Sequence, residues 1–128
     1  MAHSFTVKVY YEDTDAGGVV YYANYLRFME RARTEYLAEL GVSVSDLHNQ
    51  GSLLVVTHVE IDYRRPARLG ETLDVTTELE EAKAMRVTLR QQVLKAGALL
   101  VDAHLTFACI DTAGKPQRVP AVFGSLQP

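Results

Sequence analysis

The stretch VYYEDTDAGGVVYYANYLRFMERARTEYL, from Val9 to Leu37, decides the fold, because the hydrophobic period of the chain changes within it. From Phe5 to Tyr11, apolar and polar residues alternate, which predicts a half-buried strand. From Ala23 to Leu40, apolar residues recur every three or four positions, which predicts an amphipathic helix of about five turns. Gly41 follows the last apolar position, where a residue in the left-handed conformation commonly ends a helix.

After Gly51 the pattern is that of strands. In the connector that precedes this point, we expect Ser45 to cap a short helical turn. One helix with about five long strands predicts an α+β fold with an antiparallel sheet that curls around the apolar face of the helix. Part of the remaining sheet or helix surface is expected to meet a second subunit. The four later strand segments are LLVVTHVEIDY, TLDVTTELEEA, MRVTLRQQVLK and ALLVDAHLTFACID.

Composition limits the classes of function. With 128 residues and a net charge of -3 at pH 7, the chain is expected to form a single domain over residues 1–128, without the basic charge that nucleic acid or an anionic membrane would attract. No window approaches the ~18 uninterrupted apolar residues of a spanning helix, and no signal peptide is recognisable, so we expect a cytoplasmic protein that is not integral to a membrane. The lone Cys109 allows no intrachain disulfide and is read as a small buried residue.

The acidic turn DTDAGG, residues 13–18, has three interpretations. A calcium loop starting at Asp13 would need oxygen ligands at the positions of Gly17 and Asn24, where this chain has no carboxylate. A plain turn needs only aspartates that bond the backbone and glycines with positive φ, and the local pattern alone favours it. As a catalytic site, the turn brings a carboxylate to a helix N-terminus, whose free N–H groups polarise a carbonyl oxygen in acyl hydrolysis.

The whole stretch from Val9 to Leu37 closely resembles the 4-hydroxybenzoyl-CoA thioesterase family of hotdog-fold proteins, and within it the acyl-CoA thioesterases associated with the Tol-Pal system. The later segment IDYRRPARLGETLDVTTEL resembles the second and third strands of the family. The resemblance implies a hotdog fold, a five-stranded antiparallel sheet wrapped around one long helix. It also implies hydrolysis of an acyl-CoA to a free acid and coenzyme A, at the subunit interface of a homodimer or a dimer of dimers.

The same resemblance assigns site residues. The catalytic aspartate of the family falls on Asp15, the second acid of DTD, and the backbone N–H directed at the thioester carbonyl falls on Tyr22. Gly17, Gly18 and Val19, between them, are the implied substrate-binding loop. The Tol-Pal-associated members commonly have histidine where this chain has Tyr22, whereas the 4-hydroxybenzoyl-CoA enzymes have tyrosine. A backbone donor survives this difference, but an imidazole role in proton transfer does not.

Hydrolysis of a thioester needs few catalytic groups, which is consistent with a site of one carboxylate and one helix N-terminus. A thiolate leaves readily, so one carboxylate and one helix N-terminus suffice, with Asp15 as general base on water or as a nucleophile that forms a mixed anhydride. We expect no cofactor, since coenzyme A is part of the substrate. The four histidines lack the spacing of metal ligands, and no Gly-x-Ser-x-Gly motif occurs, so no metal is expected. His58 leaves open the histidine base of a hotdog dehydratase.

Coenzyme A also brings phosphates, which basic residues would bind. Lys83, in EEAKAM, aligns with residues that contact the nucleotide in family members, and Arg64 and Arg65 are further candidates. Alternatively, these side chains form a solvated surface that balances nearby glutamates. The other arginines considered for this role are Arg68, Arg86 and Arg90.

A second class of function competes with hydrolysis. A hotdog-fold scaffold would bind an acyl-CoA, an acyl carrier protein or an envelope-associated partner with little turnover. The intact Asp15, Gly17 and Gly18 before a helix start favour the enzyme.

Overall fold

The computed structural model describes residues 2–126 and contains one antiparallel sheet and one long helix. The helix has 16 residues, and each of the next four strands in the chain has at least 10. In chain order the elements are β1 (His3–Lys8), a 3-10 turn (Tyr11–Asp13), α1 (Asn24–Glu39), α2 (Val44–Asn49), β2 (Leu53–Tyr63), β3 (Thr72–Ala82), β4 (Arg86–Lys95), β5 (Ala98–Ile110), β6 (Pro116–Gln117) and α3 (Val122–Ser125).

The sheet has the strand order β1-β3-β4-β5-β2, with the short β6 beside the end of β5. Its centre is the meander β3–β4–β5, in which each strand follows its neighbour through a short connector. Between β4 and β5, Ala96 and Gly97 have φ values of 48° and 84°, and Lys95 pairs with Ala98. Two residues with positive φ form the turn whose twist suits a hairpin. β1 and β2 are therefore left as the outer strands.

Helix α1 lies across one face of the sheet and buries its apolar stripe there. Phe28, Met29 and Ala32 are fully buried in the core. They pack with strand residues that alternate along β3 and β5, because successive side chains of a strand point to opposite faces. Gly41, with φ of 84°, follows the helix as predicted. The predicted α+β architecture, an antiparallel sheet against one long helix, is confirmed, with four long strands, a six-residue β1 and the two-residue β6.

Two details differ from the prediction. The cap of α2 is Ser43, not Ser45: Ser43 has extended backbone, and its Oγ accepts a hydrogen bond from Asp46 N at 3.2 Å, whereas Ser45 lies inside the helix. In β2, a bulge shifts the register between Val56 and His58. Uninterrupted alternation along LLVVTHVEIDY predicts Val55 on the same face as Val59 and Ile61. Because of the bulge, Val56 is on that face instead, where it pairs with the buried Phe107.

Within residues 2–126, no helix combines the length and the apolar composition needed to cross a membrane.

Candidate active site

The acidic turn forms a compact loop between the 3-10 turn and α1. Thr14 and Val20 pair across it as an isolated bridge, and Asp15 N donates to Val19 O at 2.9 Å. Gly18 N donates back to Asp15 O at 3.1 Å, and Gly18 has φ of 75°, the left-handed conformation predicted for a glycine here. Asp15 is therefore the first residue of the tight turn that ends at Gly18.

The first acid of the turn, Asp13, is held inside the protein. It is only 5% exposed, and both of its carboxylate oxygens accept hydrogen bonds. Oδ2 accepts from Tyr10 N at 2.8 Å, and Oδ1 accepts from the amide of Asn24 at 2.9 Å. Its backbone oxygen accepts from Tyr21 N at 2.9 Å. Asp13 therefore joins the strand end, the loop and the start of α1.

The second acid, Asp15, is exposed and has an oxygen to spare. Its Oδ1 accepts from Gly17 N at 2.8 Å, which fixes the rotamer of the carboxylate. A Cβ at position 17 would lie 3.3 Å from this oxygen, so the close approach favours glycine. In residues 2–126, Oδ2 has no hydrogen-bond partner and is open to water or substrate.

The start of α1 presents unpaired N–H groups. Ala23 occupies the N-cap position, and none of the described side chains caps the helix there. Asn24 N donates to Tyr21 O at 2.7 Å, and Leu26 N donates to Ala23 O at 3.2 Å. Among the described residues, neither Tyr22 N nor Ala23 N has a hydrogen-bond acceptor. Such groups, at the positive end of the helix dipole, stabilise a developing negative charge.

The segment after β2 supplies the opposite wall. Val20 N donates to Ala67 O at 2.8 Å, and Leu69 N donates to Gly18 O at 3.1 Å, so this segment is tied to the acidic loop. Ala67 N in turn donates to the hydroxyl of Tyr25 at 3.0 Å. The loop, the helix start and the connector to β3 are thus one hydrogen-bonded unit.

An open cleft of about 310 Å³ lies between these three segments. It brings together five of the residues predicted from the sequence, and Gly17 and Gly18 belong to the loop that forms its edge. The residues that line it are Asp15, Val19, Val20, Tyr22, Tyr25, Tyr63, Arg64, Arg65 and Pro66.

Lys83 lies elsewhere in the subunit. It follows the far end of β3, whereas the cleft lies before the start of that strand, and eleven residues of strand span roughly 35 Å. Its Nζ is 3.5 Å from a carboxylate oxygen of Glu81. A role for Lys83 in binding substrate stays a prediction and would need the cleft of another subunit. Among the other arginines considered, Arg68 pairs with Val19 of the cleft wall in an isolated bridge, whereas the guanidinium of Arg90 donates a hydrogen bond to Asp102.

Three tyrosines line the cleft, and sequence reasoning assigned only one of them to the site. Tyr63 lies edge-on to Tyr22, with ring centroids 6.3 Å apart, and its hydroxyl donates to Tyr22 O at 3.1 Å. Its ring is 5.6 Å from that of Tyr25. Burial raises the pKa of both Tyr25 and Tyr63. Tyr63 is the last helix-facing residue of β2, and the alternation along this strand in the sequence was a signal that could have assigned it to the site.

The histidines lie outside the cleft. His58 is exposed on the sheet face opposite α1, with Nε2 at 3.1 Å from Glu60, and His104 lies 2.8 Å from Glu80. Over residues 2–126, no group of three or more His, Cys, Asp or Glu side chains is arranged to hold a metal ion. Cys109 is buried, which raises the pKa of its thiol.

Comparisons with known proteins point to one family. Residues 9–126 match the model of the Thioesterase-like superfamily. The acyl-CoA thioesterase YbgC of Haemophilus influenzae is 44% identical, over 97% of this chain and 96% of the relative. The acyl-CoA thioester hydrolase YbgC of Escherichia coli O157:H7 is 40% identical, over 89% and 87%.

Solved structures with the same fold agree. A probable thioesterase from Bartonella henselae superposes with a TM-score of 0.90 at 37% identity, over 94% of this chain and all of that one. A 1,4-dihydroxy-2-naphthoyl-CoA thioesterase from Synechocystis, Slr0204, superposes with a TM-score of 0.89 at 26% identity, over 98% and 95%.

Proposed function

Because the chain belongs to the thioesterase-like superfamily and is a thioester hydrolase, we propose that it hydrolyses acyl-CoA in the cleft between Asp15 and the start of α1. One observation carries the proposal: Asp15, with an open carboxylate oxygen, and Tyr22, whose N–H has no acceptor among the described residues, line the same cleft. These are the groups that hydrolysis of a thioester needs, a base or nucleophile and donors for the carbonyl oxygen.

The carbonyl of the bound thioester accepts a hydrogen bond from Tyr22 N–H. This bond withdraws electrons from the carbonyl carbon and stabilises the negative charge that forms on the oxygen. The Tyr22 N–H is fixed before the substrate arrives, because the residues on either side are held by backbone hydrogen bonds. Tyr21 N donates to Asp13 O, and Asn24 N donates to Tyr21 O. Little reorganisation is then required during the reaction.

Asp15 supplies the second function in one of two ways. As general base, its Oδ2 takes a proton from a water molecule whose oxygen attacks the carbonyl carbon. The C–S bond then breaks, and the proton passes to the departing thiolate of coenzyme A. As nucleophile, Oδ2 attacks the carbon itself and expels the thiolate, and water hydrolyses the resulting mixed anhydride. Both routes use only water and groups of the chain, so no further cofactor is proposed.

The walls suggest how the substrate lies. Val20, Tyr25 and Tyr63 offer an apolar and aromatic surface to the acyl group. Arg64 and Arg65 line the same cleft and offer cations to the phosphates of coenzyme A. A volume of about 310 Å³ is at the lower end for a small-molecule site, so most of the coenzyme must lie outside the cleft.

We further propose that the cleft is completed by a second copy of the chain. Among the described residues, no strand pairs with the outer edge of β2, and Val56 and Tyr63 on that strand are each 46% exposed. Unpaired strand edges need cover, and pairing two copies of β2 would provide it. Lys83 of another subunit would then be a candidate for the nucleotide.

The test is release of free thiol from a panel of acyl-CoA substrates, from short aliphatic through long-chain to hydroxybenzoyl and dihydroxynaphthoyl. We expect saturable turnover of at least one substrate, unaffected by a metal chelator. The Asp15→Asn protein, matched for folding and oligomeric state, is the control for contaminating thioesterases. Saturable binding without turnover by the wild type would instead favour a scaffold that holds an acyl-CoA or an acyl carrier protein.

A further inference from the structure

We propose that Tyr63 is a positioning residue for carbonyl activation. By binding the peptide group between Tyr22 and Ala23, it fixes the orientation of Tyr22, whose own N–H is the proposed donor. The inference rests on the proposed function, since it assumes that the N–H groups at this helix start bind the thioester oxygen. Its basis is the hydrogen bond from the Tyr63 hydroxyl to Tyr22 O, at 3.1 Å.

The helix itself does not hold this carbonyl. Leu26 N donates to Ala23 O at 3.2 Å, so the carbonyl of Tyr22 stays outside the helical hydrogen-bond ladder. The residue before it is fixed on both sides, since Tyr21 N donates to Asp13 O and Asn24 N donates to Tyr21 O. The orientation of the Tyr22 carbonyl therefore depends on Tyr63, which lies 41 positions away in sequence.

The phenol is well placed to act as an anchor. Tyr63 ends β2 and pairs in register with the buried Val101 of β5, so its backbone belongs to the sheet. Its ring lies edge-on to Tyr22, at an interplanar angle of 88°, and is also in contact range of Tyr25. The hydroxyl of Tyr25 accepts from Ala67 N, which fixes that ring in turn. A rigid sheet thus supports the donors at the helix start, as precise catalytic geometry requires.

The hydrogen bond also affects the electronic character of the peptide group. The carbonyl of Tyr22 and the N–H of Ala23 belong to one amide, so a bond to the oxygen polarises the Ala23 N–H, next to the proposed Tyr22 donor, and strengthens it by about 10–30%. The phenol has a single proton, and that proton is directed at the Tyr22 carbonyl. Tyr63 is therefore a poor candidate for direct protonation of the substrate in this geometry.

The first test is steady-state kinetics of Tyr63→Phe, which keeps the ring and removes the hydroxyl. We expect kcat to fall about 3- to 10-fold, the range for losing one neutral hydrogen bond, with KM changed less than twofold. Tyr11→Phe is the matched control, because Tyr11 is 82% exposed and does not line the cleft. It should leave both constants unchanged.

The second test needs no turnover. In proton–nitrogen NMR spectra, Tyr63→Phe should shift the amide signals of Tyr22 and Ala23, while Tyr11→Phe leaves them in place. Rescue provides a third: a fluorinated tyrosine at position 63 keeps the donor and should restore kcat below the pKa of its more acidic phenol.

Several outcomes would overturn the inference. An unchanged kcat with unchanged amide signals would show that Tyr63 anchors nothing. A loss of kcat beyond about 100-fold would identify it as a direct acid, and a rise in KM alone would identify a simple substrate contact. Absence of turnover by the wild type would count against the proposed function instead, while the amide shifts would still decide whether Tyr63 holds the Tyr22 carbonyl.

Discussion

The amide of Asn24 donates a hydrogen bond to Oδ1 of Asp13 across 2.9 Å, and both side chains are buried. Asn24 is the first residue of α1, so this bond fastens the acidic turn to the helix. Asp15, two positions further on, takes no part in it and stays exposed. The two acids of one short motif therefore have different tasks, and substitutions should separate them.

Replacing Asp15 with asparagine should lower kcat by at least ~100-fold, the scale for losing a positioned base. Asparagine keeps the shape of the side chain and can still accept from Gly17 N–H, so the free energy of unfolding should change little. Thiol release under saturating acyl-CoA measures the first effect and urea unfolding the second. Retention of wild-type kcat would remove Asp15 from the mechanism.

Asp13→Asn should show the opposite pattern. An amide cannot accept with both of its polar atoms, so its NH₂ group would face either Tyr10 N–H or the amide of Asn24. We expect a loss of about 1–3 kcal/mol in the free energy of unfolding. The loss of kcat should be much smaller than for Asp15→Asn. Equal losses of kcat from both variants would indicate that the turn has only a structural role.

Substitutions at Tyr22 distinguish backbone from side-chain chemistry. Tyr22→Phe keeps the N–H and the ring, so kcat should change by less than about tenfold. Tyr22→Pro removes the N–H and should cost on the order of 100-fold or more, the scale for one oxyanion donor. The proline result counts only with an unchanged circular dichroism spectrum and oligomeric state. If Tyr22→Phe alone abolished turnover in a folded protein, the phenol rather than the backbone would be the active group.

Asp102 should make stability depend on acidity. Arg90 donates two hydrogen bonds of 3.1 Å to this buried carboxylate and, with help from Gln92, holds its pKa below the usual value. A lowered folded-state pKa stabilises the fold above the unfolded pKa of about 3.9, and the contribution is lost as pH falls through the folded value. Unfolding by urea at pH 7 and pH 3 should therefore show a smaller acid-induced loss for Asp102→Asn than for wild type.

A control for this comparison is Glu35→Gln, which removes an exposed carboxylate on α1. Its loss of stability between the two pH values should match that of wild type. If Asp102→Asn also matched wild type, the bonds from Arg90 would contribute nothing to the acid sensitivity of the fold.

The protein should be an obligate dimer or a dimer of dimers, because within residues 2–126 of one subunit no strand covers the outer edge of β2. Val56→Lys places a charge on this strand and should weaken association in sedimentation experiments. Met85→Lys is the matched control, since Met85 is similarly exposed, at 44%, but lies in the connector between β3 and β4. A wild-type monomer at every concentration would contradict the prediction.

The sequence was sufficient to predict the long elements because each has a clear period. The period of 3.6 predicted α1, and the period of two predicted the strands. The bulge at Val56 interrupts the period of two, and it could not be predicted because it arises in the pairing of β2 with β5. Asp13 and Asp15 have the same side chain, so local pattern could not separate them. Their difference comes from Asn24, and the role inferred for Tyr63 from a contact 41 positions away, which only the folded chain provides.

At the uncapped start of α1, the stability of the fold and catalysis favour different residues. Ala23 stands where serine, threonine, aspartate or asparagine would typically add about 1 kcal/mol by satisfying a free N–H. A side-chain oxygen at this position would accept from the N–H of Tyr25 or Leu26, and it would place a competing acceptor beside the proposed Tyr22 donor. Selection for heat resistance alone would favour such a residue, whereas selection for turnover would reject it. Position 23 is therefore one that a consensus-based stabilisation of the protein should leave unchanged.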